Sequence, residues 1–176
     1  GQPTMLPQNM AGGGGVIAAN YVGIIAPKDG TILTMISEAL PMDQALDLTP
    51  SLKVDFKTFG WIGNLGDSNL LTYTWHTSPT RTMEDAKKRE TTIGATGAGS
   101  VTTWLPIVYN NVLGTKFKLI QGYKSGSAVK LAMERGEVEG YAANPWSALV
   151  SASPDLVRDK RISILTQVGI KKEKEL

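Results

Sequence analysis

A chain of 176 residues with an apolar fraction of 41% and a net charge of +2 is long enough to bury a real core, as one domain or two small ones, and too apolar for a disordered segment. The absence of cysteine excludes a disulfide framework, a thiolate metal site and a cysteine nucleophile, and a single histidine, His76, excludes a multi-histidine metal centre. Charges are scattered apart from Lys87-Lys88-Arg89 and the tail Lys171-Lys172-Glu173-Lys174-Glu175, which read as solvated helix ends rather than a nucleic-acid footprint, and no apolar run reaches the ~18 residues of a membrane span, so a soluble protein without membrane insertion is expected.

Residues 1–7 carry two prolines and no periodicity. Asn9-Met10-Ala11-Gly12-Gly13-Gly14-Gly15 then leads into residues 16–26, where apolar side chains at 17, 21, 24 and 25 fit one helix face and Pro27 and Gly30 stop it. Residues 31–36 have the composition of a buried strand, closed by Ser37-Glu38. In an open α/β sheet the carboxyl end of such a strand faces the ligand crevice, which makes Ser37 a site candidate beside its simpler role as a turn hydroxyl. Residues 39–48 admit a short helix broken at Pro41. Residues 59–65 and 68–76, rich in aromatic and β-branched side chains, read as one long or interrupted extended segment with Gly66-Asp67 as its flex point, and are expected to cross between two lobes. His76, alone on an alternating strand, is given no chemistry.

Beyond it the chain settles into alternation. Thr82 caps a helix with Glu84 and Asp85 in its first turn and Lys87, Lys88 and Arg89 in its last, the arrangement that complements the helix dipole. A strand over 91–95 is followed by a helix to about Leu113 that ends on Gly114, with Pro106 either kinking it or delaying its start to Thr102 or Thr103. A strand over 116–120, a loop over 122–127, a helix over 128–135 stopped by Gly136, a strand over 138–142, a helix from Asn144-Pro145-Trp146 to about Val150, a short helical piece after Pro154 and a strand over 162–168 complete it. Strands separated by helices imply an α/β fold, with helices on both faces of mainly parallel sheets.

The stretch Ile93-Gly94-Ala95-Thr96-Gly97-Ala98-Gly99-Ser100-Val101 is an apolar strand that runs through small residues into a helix. It reads as an anion-binding turn, because glycine lets successive N–H groups point at one ligand and the first helical turn adds unsatisfied N–H groups and the positive end of the dipole. An ordinary strand-to-helix turn with Ser100 as N-cap explains the same residues. The four glycines at 12–15 form a second turn of this kind. Three loops, at 96–100, 123–127 and 143–146, stand at the carboxyl ends of successive strands, where ligands of open α/β sheets collect, and none of them offers a general acid or base. GxxxxGK[ST] is absent and GxGxxG is incomplete, which disfavours nucleotide chemistry, and the absence of GxSxG counts against Ser100 as a nucleophile. No cofactor is called for.

These residues also carry a resemblance. Asn9 to Tyr21, Ala26-Pro27-Lys28-Asp29-Gly30-Thr31, the Phe59 to Gly63 run, the turn from Gly94 to Ser100, Gly122-Tyr123-Lys124-Ser125-Gly126 and Glu137-Val138-Glu139-Gly140 follow the order and spacing of the Bug family, and the similarity covers nearly the whole chain. These are the extracytoplasmic solute-binding proteins of tripartite tricarboxylate transporters. The resemblance implies a two-lobed periplasmic-binding-protein-like fold with lobe one incomplete: residues 1–66 and 168–176 would be part of lobe one and 67–167 lobe two. It implies a periplasmic location, with the signal peptide outside this sequence, a small carboxylate held between the lobes by backbone amides, hydroxyls and bridging waters, no catalysis, and membrane permease subunits as partners. Position by position it points to Gly12, Gly13 and Gly14, with Ala11 where the family has proline; to Thr96, Gly97, Ala98, Gly99 and Ser100; to Ser125 and Gly126; and to Asn144, with Ala143 where many members have aspartate. Trp104 and Trp146 lie near this rim as packing residues or as flanks of an apolar ligand body. Two other readings stay open at this point: a serine-dependent hydrolase or phosphate-handling enzyme using Ser100, and the effector-sensing domain of a transcription regulator.

Overall fold

A computed structural model describes residues 3–64 and 66–172; Gly1, Gln2, Leu65 and residues 173–176, including most of the charged tail, lie outside the described residues. Its centre is one sheet of five strands, β1 (Leu70–Trp75), β2 (Thr91–Gly94), β3 (Phe117–Ile120), β4 (Gly140–Pro145) and β5 (Ile162–Val168), in the spatial order β3-β2-β4-β1-β5. β2 pairs in parallel with β3 and β4, whereas β1 runs antiparallel to both β4 and β5. Four strands therefore point one way and β1 alone opposes them, which is the mainly parallel sheet that the alternation of elements implied.

Helices cover both faces because each strand offers apolar side chains to both. Leu71, Tyr73 and Trp75 of β1 and Tyr141 of β4 pack with α5 (Gly126–Glu134), α6 (Trp146–Ala152) and α7 (Pro154–Arg158). Ile93 of β2, Phe117 of β3 and Ala142 of β4 pack with α3 (Met83–Lys88) and α4 (Val101–Val108). Local chemistry sets the helix ends. Thr82 and Asp85 form a reciprocal capping box at α3; Ser100 and Ser125 accept N–H bonds from Thr102 and Ala128 at the starts of α4 and α5. Pro106 neither delays nor ends α4, which starts at Val101 and continues through a π-turn, Tyr109–Leu113, to Gly114 in the left-handed region. β4 runs further than expected: Ala143, Asn144 and Pro145 are its last residues rather than a loop, since Leu70 and Leu71 of β1 pair with Pro145 and Asn144.

The N-terminal part is helical and irregular. A 3₁₀ turn (Gly13–Gly15) leads into α1 (Val16–Asn20) and a π-turn (Tyr21–Ile25), and α2 (Ala39–Ala45) follows, with Pro41 in its first turn, where a missing N–H costs nothing. Val16, Ala19, Leu40, Val54 and Phe56 make a third, separate cluster. Two expectations fail here. Residues 31–36 form no strand: no described segment pairs with them, and Leu33 and Met35 are 60% and 81% exposed. The extended segment begins only at Leu70; the aromatic residues before it, Phe56, Phe59 and Trp61, stack on one another, with Trp61 Nε1 donating to the Phe56 carbonyl. Lys171 and Lys172 follow β5 outside any helix.

Candidate functional site

The two glycine-bearing turns meet, backbone against backbone. A Cβ on Gly97 would lie 2.9 Å from the Gly14 nitrogen and 3.0 Å from the Gly13 carbonyl carbon, and one on Gly14 would lie 2.8 Å from the Ser100 nitrogen. Glycine at 14 and 97 is thus required by close approach, and at 14 also by its φ of 70°. Beside this contact lies a cavity of about 190 Å³ lined by Met10, Ala11, Gly12, Gly14, Gly15, Ser37, Thr96, Ser100, Tyr123 and Lys124.

α4 and the strand before it position the hydroxyl wall. Thr102 Oγ1, on the first turn of α4, accepts the Thr96 N–H at 3.1 Å and lies 3.2 Å from Thr96 Oγ1 and 2.9 Å from Ser100 Oγ. The Ser100 N–H donates to the Gly97 carbonyl. The amides of Thr96 and Ser100 are therefore engaged within the loop, and these two residues offer the cavity their hydroxyls. Among the described residues the N–H groups of Gly12, Gly97, Ala98 and Gly99 have no hydrogen-bond partner. Ser37 Oγ accepts from the Ala39 N–H, so its proton is available to a ligand. Tyr123 donates its N–H to the Ala95 carbonyl; burial, then the charge of Glu137, raises its hydroxyl pKa above the usual phenol value.

Of the residues singled out from the sequence, Gly12, Gly14, Ser37, Thr96 and Ser100 come together around this cavity. The others do not line it. Gly13 and Gly97 are taken up by the contact between the turns, Ala98 is exposed, and Gly99 is buried against Leu40, Val16 and the Asp43 carboxylate. Ser125 is the exposed N-cap of α5, and Gly126 lies under the Tyr141 hydroxyl. Asn144 is buried inside β4 and donates to the Tyr73 hydroxyl at 2.9 Å. Trp146 belongs to the buried cluster on one face of the sheet and Trp104 packs against the separate cluster on the other, and neither lines the cavity.

The sequence reading missed Met10, Ala11, Gly15, Tyr123 and Lys124 as lining residues. Their signal was present: Tyr123-Lys124 stands in a loop already marked as a ligand edge, but helix-start logic favours the serine that follows. Serine hydrolysis through His76 is ruled out by topology. His76 follows the end of β1 and donates its N–H to the Arg161 carbonyl, beside Glu139 at the start of β4, whereas Ser100 lies past the carboxyl end of β2, at the opposite edge of the sheet.

Asp43 is a further polar feature. It is 5% exposed, and its Oδ2 has no hydrogen-bond partner among the described residues.

No family model and no curated relative matches the chain. Solved structures do match its fold. The periplasmic binding protein BugD superposes with a TM-score of 0.78 at 16% identity, over 94% of this chain and 55% of that one. A TctC solute-binding protein from Polaromonas, solved without ligand, gives 0.60 at 18% identity over 93% and 55%. An R. palustris protein solved with adipate gives 0.50 at 17% identity over 60% and 36%. The chain thus spans little more than half the length of the first two and about a third of the last. It carries a Bug/TctC-like α/β fold, in part, and the structures that share this fold are solute-binding proteins rather than enzymes.

Proposed function

We propose that the chain is part of a periplasmic solute receptor that binds a small carboxylate without transforming it. The observation that carries this reading is the lining of the cavity. Glycine backbone, the hydroxyls of Ser37, Thr96 and Ser100, the Tyr123 side chain and Lys124 surround it, and among the described residues no acidic side chain does. Such a surface favours an anion by hydrogen bonds and by charge. At about 190 Å³ the space is smaller than the ~300 Å³ at which drug-sized pockets begin, which suits a metabolite of a few carbons. The adipate in one structural neighbour supports the same class of ligand.

In this reading residues 1–66 and 168–176 belong to one lobe and 67–167 to the other, and the antiparallel neighbours β1 and β5 carry the chain between them. The solute touches Gly12 and Ser37 from one lobe and Thr96 and Ser100 from the other, so binding shifts the population toward the closed arrangement, which permease subunits in the membrane then sense. Calorimetric titration of the full-length protein with mono-, di- and tricarboxylates tests this, with inorganic phosphate and nucleotides as the contrasting arm. Heat with a carboxylate is expected; heat with phosphates alone overturns the reading.

A further inference from the structure

Three side chains of the N-terminal part close on Gly99, the residue before the N-cap of α4. A Cβ there would lie 3.2 Å from Leu40 Cδ2, 3.2 Å from Val16 Cγ2 and 3.3 Å from Asp43 Oδ2. Val16 and Ala19 of α1 share one buried cluster with Leu40 of α2, so these two helices meet the start of α4 as one body. Val101 and Leu105 of α4 belong to a different cluster, which α2 touches through Ala39. Val16 and Leu40 are apolar and gain from the contact with Gly99. Asp43 is a carboxylate on the same surface.

That carboxylate is 5% exposed, and among the described residues its Oδ2 has no hydrogen-bond partner and no cation pairs with it. The half-buried Glu139 shows how the fold treats a carboxylate it needs: Ser78 Oγ, an Arg89 guanidinium N–H and the Thr92 N–H all donate to it. A charge taken from water without such partners opposes whatever contact covers it. Here the covering contact is the one that brings the two glycine turns together, since Gly99 lies in the same loop as Gly97 and two residues from it. Parting of the turns draws Gly99 away and returns Asp43 to water. The contact is thus balanced, with Val16 and Leu40 favouring it and Asp43 working against it.

We propose, on the basis of the receptor reading above, that Asp43 is a positioning residue that opposes closure: its buried, unpartnered carboxylate holds the solute-free protein open, and a bound solute supplies the interaction that brings the turns together. The apparent affinity is then the intrinsic affinity reduced by the fraction of protein already closed. A neutral amide of the same shape costs less to bury, so Asp43→Asn raises the closed fraction and with it the apparent affinity, by up to about fivefold, which corresponds to about 1 kcal/mol. Damage to the fold would weaken binding, so the sign of the effect separates the two.

The test combines small-angle scattering and calorimetry on the full-length protein, with acetate, succinate, adipate and citrate as probes and the tightest of the four carried forward. Wild type is expected to have a larger radius of gyration without the probe than with it. Asp43→Asn without the probe is expected to move toward the compact wild-type value and to bind the probe up to about fivefold more tightly. Asp47→Asn is the control: it removes the same charge four residues on, at an exposed position whose φ of 51° asparagine tolerates, and it should track wild type in both measurements. An Asp43→Asn variant as extended as wild type without the probe overturns this inference even if it binds more tightly, because the charge then acts on the solute directly. Weaker binding by Asp43→Asn, or a wild type whose radius does not change on binding, overturns it as well. These outcomes leave the receptor reading standing, whereas a wild type that binds none of the four carboxylates overturns both.

Discussion

Replacing Gly97 by alanine should push the two turns apart. The added Cβ would meet the Gly14 nitrogen at 2.9 Å, the Gly13 carbonyl carbon at 3.0 Å and the Gly13 Cα at 3.2 Å. All three are backbone atoms, so no side chain can swing aside. Restoring an ordinary contact of 3.4 Å requires the turns to separate by about 0.5 Å. Overpacking of this kind costs about 1–3 kcal/mol. Stiffening the unfolded chain offsets about 0.4–1 kcal/mol, and Gly97 does not occupy the left-handed region, so backbone strain adds nothing. The net destabilisation is about 0.5–2 kcal/mol, which for a chain of this size lowers the thermal midpoint by a few degrees, at about 2–4 °C per kcal/mol. Gly60→Ala is the control: no atom lies within 4 Å of its added Cβ and its φ is unremarkable, so its midpoint should equal or slightly exceed that of wild type. Scanning calorimetry compares the two. If Gly97→Ala melts with Gly60→Ala, the two turns are not in tight backbone contact.

Asp43→Asn should raise stability by up to about 1 kcal/mol in denaturant unfolding, because the buried Oδ2 has no hydrogen-bond partner among the described residues and a neutral amide costs less to bury than a charge; a lower stability would show that the carboxylate is held by the turn it faces. Ser100→Ala removes the acceptor of the Thr102 N–H and one cavity hydroxyl, so about 1 kcal/mol of stability should go together with weakened carboxylate affinity, and an undiminished affinity would remove Ser100 from the site. Asn144→Ala leaves the buried Tyr73 hydroxyl without its donor and should cost about 1–3 kcal/mol by the same unfolding assay with no change in ligand affinity. Burial pushes the Tyr141 hydroxyl up to about 12. The fold thus favours its neutral form, and the associated stability is fully present below pH ~10 and lost as pH rises toward 12, amounting to up to about 2–3 kcal/mol. Unfolding at pH 8 and pH 11 should show a smaller alkaline loss in Tyr141→Phe than in wild type, and equal losses would refute the assignment.

The second part of the chain was readable because its signals are local. Thr82 and Asp85 mark a helix start within four residues, Gly114 and Gly136 mark helix ends, and the apolar runs between them pair with one another inside the described structure. Residues 31–36 read as a strand for equally good local reasons and form none, because strand composition becomes a strand only where a partner supplies the other half of the ladder. The same limit applies at the site. The glycines at 14 and 97 announced that backbone must come close to something, and sequence logic named a ligand; in the structure each closes on the other turn. Thr96 and Ser100 were legible because hydroxyls at a helix start have few roles. Lys124 was not, since nothing local distinguishes a cavity lysine from a solvated one.

The claim beneath the whole account is that groups from both glycine turns hold one small anion. Amide chemical shifts of the isotope-labelled full-length protein, followed while the tightest-binding carboxylate from the calorimetric panel is added, test it most directly. The account predicts saturable shifts at Gly12 and Gly14 and at Thr96 and Ser100 together, with the same midpoint. Shifts confined to one turn, or appearing only at residues away from the cavity such as Ser125 and Asn144, would contradict it.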